Sequence, residues 1–440
     1  MTETHIYHKQ IYKKTINKKS IVSVIGLGYV GLPLSLNLIK NKIPVIGIDT
    51  DYKKIIKLKK KTSYISTISS KILSKYEFNN LSTQYSIIKN SDIIIYCLPT
   101  PINKKKTPNL SILKNAIRLS AKNFKKGQLI ILESTTYPGC TEELFLPLLK
   151  KLKFKIDNDI FLGYSPERED PGNKRYNIRN VIKVVSGVGP NSLKLASKFY
   201  ESSNIKVHKV SNIKTAEMTK LLENTYRNIN IGYANEMKII CKKLNLDINE
   251  VINSAKTKPF GFTPFYPGPG IGGHCIPVDP HYLLWKLEKN KYFSNFIKAS
   301  TKINDAMPKF IFKESFKILK KNFKNFRSIK VLFVGLAYKK NIDDLRESPS
   351  LALINEFINR KFLNIFYHDP FHKKGIPHNR NFNYTKIKYS NINKSTINKF
   401  DVIYLLTDHD DLNYPILNNA NSIIFDTRNV LEKRPNIINL

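Results

Sequence analysis

Cys275 stands in the stretch Gly270-Ile-Gly-Gly-His-Cys-Ile-Pro-Val-Asp279, where glycines open the backbone and His274 and Asp279 flank the thiol. A cysteine in such a setting can attack a carbonyl carbon, because access and neighbouring proton-transfer groups are both supplied. The other three cysteines read differently. Cys97 and Cys241 fall in a strand-like and a helix-like run and are expected to pack, and Cys140 lies in a Pro-Gly turn with no role assigned. No Cys-x-x-Cys pair occurs, so neither a disulfide framework nor a zinc site is expected. Lys220 and Asn224 are four residues apart in a helical pattern and share a face. They are either two exposed polar residues or a positive charge and an amide aimed together at a developing oxyanion. Glu167 follows the apolar run Ile160–Tyr164 and is either a solvated loop acid or a functional group at a strand end.

A second group of residues has the chemistry of phosphate binding. The run Ile21-Val-Ser-Val-Ile25 leads directly into Gly26-Leu-Gly28-Tyr-Val-Gly31, then an apolar helix to about Lys40, then the strand Pro44–Ile48 ending at Asp49. Gly26 allows the tight turn, Gly28 lets the backbone approach a pyrophosphate, and Gly31 lets the helix pack on the strand. The helix N-terminus offers unpaired N–H groups to the phosphates. Asp49, 18 residues after Gly31, stands where a carboxylate meets the ribose hydroxyls of NAD.

These residues need a scaffold, and the pattern of elements supplies one. Apolar runs at Asp92–Leu98, Gln128–Leu132 and Ile160–Tyr164 each end in a polar, Pro-containing loop, as strands of an open parallel sheet do at their ligand-binding edge. Residues 212–244 have few breakers and apolar residues at helical spacing, which predicts one long helix and a plausible dimer face. The Pro-, Gly- and aromatic-rich stretch Lys258–Pro280 is too broken for a core element and reads as a functional loop. A second strand-to-loop series begins at Lys330, with Gly335-Leu-Ala-Tyr-Lys339 after its first strand and further strands ending near Asp369, Thr407 and Asp426. Ala337 replaces the second glycine there, which favours a nucleotide other than NAD or a changed phosphate contact. Arg346 and Arg428 offer forked donors suited to a diphosphate or carboxylate. The expectation is an α/β chain of two Rossmann-like, doubly wound parallel-sheet domains joined by a long central helix. Its segments are a mobile basic tail (1–20), an NAD-binding domain (21–205), a central helical part with the cysteine loop (206–325) and a second α/β domain (326–440).

Composition narrows the class. The 440 residues are 41% hydrophobic and 24% charged, which is globular rather than disordered or collagen-like. No apolar run is long enough for a membrane span, and the first twenty residues lack the apolar core of a secretory signal, so a cytoplasmic protein without membrane partners is expected. The 73 Lys+Arg against 34 Asp+Glu give a net charge of +39. A basic nucleic-acid-binding protein on an α/β scaffold would concentrate that charge on one face. Here lysines alternate with isoleucine and asparagine along the whole chain, as an AT-rich coding sequence imposes, and no nucleic-acid partner is expected.

From Ile21 to its end the chain resembles the nucleotide-sugar 6-dehydrogenase family. Six separated motifs coincide in order: Gly26–Gly31, Glu133–Gly139, Tyr164–Gly172, Lys220 with Asn224, Gly272–Asp279, and Tyr338–Pro349 followed by Asp426–Asn429. Tyr164–Gly172 and Lys258–Pro280 are most similar to the UDP-N-acetylglucosamine 6-dehydrogenases. Members acting on UDP-glucose tend to have serine before the nucleophile and an arginine shortly upstream, whereas this chain has His274 and no arginine between Arg227 and Cys275. The resemblance implies oxidation of a primary alcohol to a carboxylate with two NAD, through a thiohemiacetal and a thioester on Cys275, for surface polysaccharide synthesis. It implies oxyanion stabilisation by Lys220 and Asn224, proton transfer by Asp279 and water activation by Glu167. NAD contacts fall to Gly26, Gly28, Tyr29, Val30, Gly31, Asp49, Thr100 and Thr135. UDP-sugar contacts fall to Arg168, Tyr266, Gly268, Lys339, Arg346 and Arg428. UDP-N-acetylgalactosamine, UDP-N-acetylmannosamine and UDP-glucose are the alternative substrates, and a homodimer or higher homo-oligomer is the expected assembly.

Overall fold

The computed structural model describes residues 6–65, 68–168, 180–376 and 387–440. Residues 169–172 of the Tyr164–Gly172 motif lie outside them. The chain forms two compact units. One comprises residues up to Glu223 with His281–Phe293; the other comprises Asn224–Pro280 with Ser294–Leu440.

The first unit is built on eight strands: β1 (Val22–Ile25), β2 (Val45–Ile48), β3 (Asn80–Ser82), β4 (Ile93–Tyr96), β5 (Leu129–Leu132), β6 (Phe161–Tyr164), β7 (Lys183–Gly187) and β8 (Val207–Lys209). Their spatial order is β3-β2-β1-β4-β5-β6-β7-β8. The central strands are apolar except at Ser23, whose buried hydroxyl pairs with Ser91, because both faces are covered. Val22 and Val24 of β1, Ile93 and Ile95 of β4, and Leu129 and Ile131 of β5 join one core. The alternating residues Ile25, Ile94, Tyr96, Ile130 and Leu132 join the core on the opposite face. The sheet is doubly wound, as expected, but not wholly parallel: β7 runs antiparallel to β6, pairing Gly163 with Gly187 and Tyr164 with Ser186.

The basic segment read from the sequence as a mobile tail contains a packed helix, Ile6–Ile16. Its charge hid an apolar face. Ile11 enters the first core, Tyr7 and Tyr12 pack against it, and the Lys194 ammonium lies 5.1 Å from the Tyr12 ring centre. Lys14 pairs with Asp92 at 2.7 Å, and the same carboxylate accepts the Ile21 N–H at the entry to β1.

The second unit holds six parallel strands: β9 (Lys330–Val334), β10 (Asn364–His368), β11 (Ile387–Tyr389), β12 (Val402–Leu405), β13 (Ile423–Asp426) and β14 (Ile437–Asn439), in the order β11-β10-β9-β12-β13-β14. Val331 and Phe333 face one core, and Leu332 and Val334 face the other. The predicted long helix is continuous from Ile213 to Lys243, and a second helix of 28 residues spans Asn295–Asn322. No helix among the described residues is long and apolar enough to cross a membrane.

Candidate active site

In the first unit the glycine turn has the predicted form. Gly26 has φ +94°, and a Cβ there would run into the Cys97 carbonyl. A Cβ on Gly31 would collide with the Gly26 carbonyl oxygen, so the helix Gly31–Lys40 can start this close to β1 only without a side chain. Gly28 is different: a Cβ there would meet nothing within 4 Å. Its glycine leaves an open backbone face, and no side chain caps the helix that follows. Both features fit a pyrophosphate. Asp49, at the end of β2, accepts the Leu27 N–H at 3.0 Å and pairs with Lys54 at 2.9 Å. It therefore anchors the turn, at the strand end where a ribose-binding acid is expected. Tyr29 and Val30 pack partly against the core. Thr100 donates to the Thr135 carbonyl at 2.8 Å, which ties the loops after β4 and β5 together.

Those loops hold a buried charge cluster. Glu133 follows β5, and Glu167 follows β6. Both pair with Lys183, the first residue of β7, at 3.1 and 3.2 Å. Arg168 is committed to Glu223 at 2.6 Å and to the Ile182 carbonyl. Glu217, on the long helix, accepts the N–H groups of Gly139 and Thr141 and the Thr141 hydroxyl, which fixes the turn into the helix Cys140–Lys151.

Lys220 and Asn224 are both buried on the long helix, so the reading as two exposed polar residues falls away. No described residue supplies a hydrogen bond or ion pair to the Lys220 ammonium.

In the second unit the cysteine loop is held by asparagines on that helix. Asn224 donates to Asp279 at 2.5 Å, Asn228 donates to the Ile276 carbonyl at 3.2 Å, and Asn235 accepts the Gly268 N–H at 3.0 Å. Asn304, on the helix Asn295–Asn322, accepts from Asn235 and donates to the Asn228 carbonyl. The loop's other flank lies on the second α/β fold: the Gly273 N–H donates to the Arg346 carbonyl at 2.9 Å, and a Cβ on Gly272 would strike Tyr338. Within this frame Cys275 begins a turn whose carbonyl accepts the Asp279 N–H, and its Sγ lies 3.7 Å from His274 Nδ1. Cys97, Cys140 and Cys241 are buried; Cys275 is not. Burial pushes the Cys97 and Cys140 thiols up, away from reactive thiolate.

Of the expected nucleotide-sugar residues, all but Arg168 lie on this second unit. Arg428 pairs through Nε with Asp408 at 2.9 Å, and its Nη1 lies 3.1 Å from where a Cβ on Gly268 would stand. Tyr266 donates to Asn253. Lys339 is half-buried after β9. The Arg346 fork is engaged by Asp344, with contacts at 3.0 and 2.6 Å, so its visible role is to shape the loop. The glycine turn of this unit repeats the first with one change. Asp369 accepts the Leu336 and Ala337 N–H groups and faces His409 Nε2 at 3.3 Å, wholly buried. Asn341 donates to His409 Nδ1, which leaves the ring proton on the nitrogen facing the acid. Burial pushes the Asp369 carboxyl up, but His409 and the backbone donors outweigh it and hold it below the ordinary range. An acid sealed in this way is not presented to a ribose, in keeping with the altered fingerprint.

Sequence reasoning missed Lys183, Asn228, Asn235, Asn304 and Glu217 as site-building residues. The available signals were a lysine inside the apolar run Val181-Ile-Lys-Val-Val185 and asparagines at positions 224, 228 and 235, on one helical face.

Models of the NAD-binding, central and UDP-binding domains of the UDP-glucose/GDP-mannose dehydrogenase family match residues 20–204, 214–306 and 332–433. A UDP-N-acetyl-D-glucosamine 6-dehydrogenase of Pseudomonas aeruginosa is 37% identical over 76% of this chain and 79% of its own length. A UDP-N-acetyl-D-mannosamine dehydrogenase of Methanocaldococcus jannaschii is 33% identical over 96% of this chain and 95% of its own. The solved structure of a UDP-D-ManNAc dehydrogenase from Pyrococcus horikoshii has a TM-score of 0.81 at 29% identity, covering 94% of this chain and 97% of that one.

Proposed function

Because the chain belongs to the UDP-glucose/GDP-mannose dehydrogenase family, we propose that it oxidises C6 of a UDP-N-acetylhexosamine to the uronic acid through Cys275. It is an NAD-dependent nucleotide-sugar dehydrogenase with an NAD-binding and a UDP-binding domain. The observation that carries the covalent reading is Cys275 itself, the one unburied thiol, seated in a loop pinned from both flanks.

NAD, when bound at the first glycine turn, supplies the hydride acceptor for both oxidations. The chain's own residues do the rest. As the C6 alcohol loses hydride and a proton, Lys220 and Asn224 stabilise the oxygen while it carries negative charge. The Cys275 thiolate then adds to the aldehyde carbon, forming a C–S bond and a thiohemiacetal with a hydride left to give. Loss of that hydride and of the hydroxyl proton leaves a thioester. Asp279, oriented by Asn224, handles the protons of these steps. Water, deprotonated by Glu167, adds to the thioester carbonyl; the C–S bond breaks, and the carboxylate and the Cys275 thiol are released.

UDP-N-acetylglucosamine is the first choice of substrate. The Lys258–Pro280 stretch and the 37% identical relative support it. UDP-N-acetylmannosamine is the second reading, favoured by the relative aligned over 96% of the chain. A panel of UDP-sugars with NAD, followed by NADH absorbance and product mass, separates them. UDP-N-acetylglucosamine should turn over fastest and UDP-glucose at least about tenfold slower, since polar groups built for an N-acetyl would be left unmet. Equal rates with UDP-glucose would overturn the N-acetyl assignment.

A further inference from the structure

The antiparallel strand β7 brings a charged residue to a place where a parallel strand would not. In a parallel sheet the polar loops leave the strands at one edge, and Glu133 and Glu167 both lie there, just beyond β5 and β6. Because β7 runs the other way, its first residue, Lys183, arrives at that same edge. The pairing of Gly163 with Gly187 and Tyr164 with Ser186 continues in register to set Lys183 opposite Glu167. Two side-chain bonds lock the register: Ser165 donates to the Val184 carbonyl at 2.8 Å, and Ser186 donates to the Tyr164 carbonyl at 3.0 Å.

The result is a three-charge bridge with unequal ends. Lys183 is 5% exposed and Glu133 is 1% exposed, whereas Glu167 keeps 15% of its side chain accessible. Glu133 is also held by the Tyr200 hydroxyl at 2.5 Å, and the Lys183 ammonium lies 5.2 Å from the Tyr200 ring centre. Glu167 accepts its neighbour's N–H from Arg168, whose guanidinium is turned to Glu223. Cys97, on the loop after β4, completes the surroundings with a buried, protonated thiol. Burial alone would drive the Lys183 ammonium toward the neutral form, but the two carboxylates outweigh it and keep the charge in place. The inner acid thus fixes the lysine, and the lysine faces the outer acid with a permanent positive charge.

We propose that Lys183, anchored by Glu133, is a positioning residue that holds Glu167 ionised and oriented for removing a proton from the water that hydrolyses the Cys275 thioester. The proposal rests on the thioester reading above. In the step concerned, a water O–H bond breaks, its proton passes to Glu167, the oxygen bonds to the thioester carbon, and the C–S bond breaks to release the sugar acid. Glu167, being partly accessible, returns the proton to solvent.

The test is made on the full chain with NAD and the UDP-sugar that gives the fastest NADH release. Lys183→Met leaves Glu133 buried without its cation, so that variant is paired with Glu133→Gln/Lys183→Met, which removes both charges and keeps Glu167 itself unchanged. In the double variant, steady turnover should fall about tenfold or more. A protein adduct of the acyl-sugar mass should accumulate on Cys275 in quenched samples, and the acid limb of the turnover profile should move up by about one pH unit. The sign follows from the chemistry: without the ammonium, ionised Glu167 forms only at higher pH. A merely structural role would lower the melting temperature and slow both oxidations alike, with no adduct. Normal turnover and an unmoved acid limb in a folded double variant would overturn the assignment to Lys183. Absence of NADH release by the unmodified protein with every UDP-sugar would instead sink the underlying reading.

Discussion

A thiol's reactivity depends on whether it can reach solvent as an anion, and the four cysteines divide on that criterion. Native protein treated with iodoacetamide should be modified at Cys275 alone, with Cys97, Cys140 and Cys241 reacting only after denaturation; peptide mass mapping reads the outcome. Cys275→Ala should make uronic acid at a rate below about a thousandth of normal, since the second oxidation needs a tetrahedral adduct. Steady acid production by that variant would refute the thioester route. Asp49 carries a different prediction. Its carboxylate should disfavour a ribose 2′-phosphate, so the protein prefers NAD to NADP, and Asp49→Asn should narrow that preference by about tenfold, the scale of a charge-assisted hydrogen bond. Ratios of kcat/KM for the two cofactors give the answer. At this scale the sequence exposed the residues whose type is rare in context, such as Cys275 in its glycines and Glu167 after a strand. It concealed Asn228, Asn235 and Lys183, because an asparagine or lysine becomes informative only when its partner is known, and those partners lie 48, 33 and 50 residues away.

Elements were legible where burial on both faces forced a nearly unbroken apolar run. The predicted strands at 21–25, 92–98, 128–132, 331–334 and 402–406 contain β1, β4, β5, most of β9 and β12. Short outer strands such as β3 and β8, with half-exposed polar residues, carry no such signature. The helix Ile6–Ile16 was hidden for a related reason: only His8, Ile11 and Thr15 of its residues are buried, too few to mark a period among lysines. Its docking makes a clear expectation. Ile11→Ala should destabilise the first unit by about 2–4 kcal/mol through the cavity it leaves, measured by urea unfolding. NAD specificity should be unaffected. Gly31→Ala should behave in the opposite manner. The new methyl must push the helix off the Gly26 carbonyl, which costs about 1–3 kcal/mol and opens the phosphate turn, so NAD affinity should fall more than stability does. Calorimetric NAD titration beside thermal unfolding distinguishes the two effects.

For the molecule as a whole, the long helix leaves Leu222, Tyr226, Tyr233 and Ile240 exposed at spacings of four and seven residues. Such a stripe is costly to leave in water, and a second copy of the chain presenting the same stripe is the occupant we propose. Tyr233→Glu should shift the protein to monomer in light scattering at micromolar concentration, while the Tyr226→Phe control stays associated. A monomeric unmodified protein would dispose of the idea. The two glycine turns lead to a separate consequence. Gly26 and Gly335 both have positive φ, at +94° and +84°. Asp49 and Asp369 each receive the N–H of the following leucine and, through Oδ1, the N–H two residues beyond themselves. What differs is that Gly28 faces open space and Asp49 meets a lysine, whereas Ala337 is buried and Asp369 meets His409. The chain therefore contains its own internal control. Features common to both copies are those a βαβ turn needs in order to fold, and features present in the first copy alone are those available to a dinucleotide, so the two sets can be told apart within a single polypeptide.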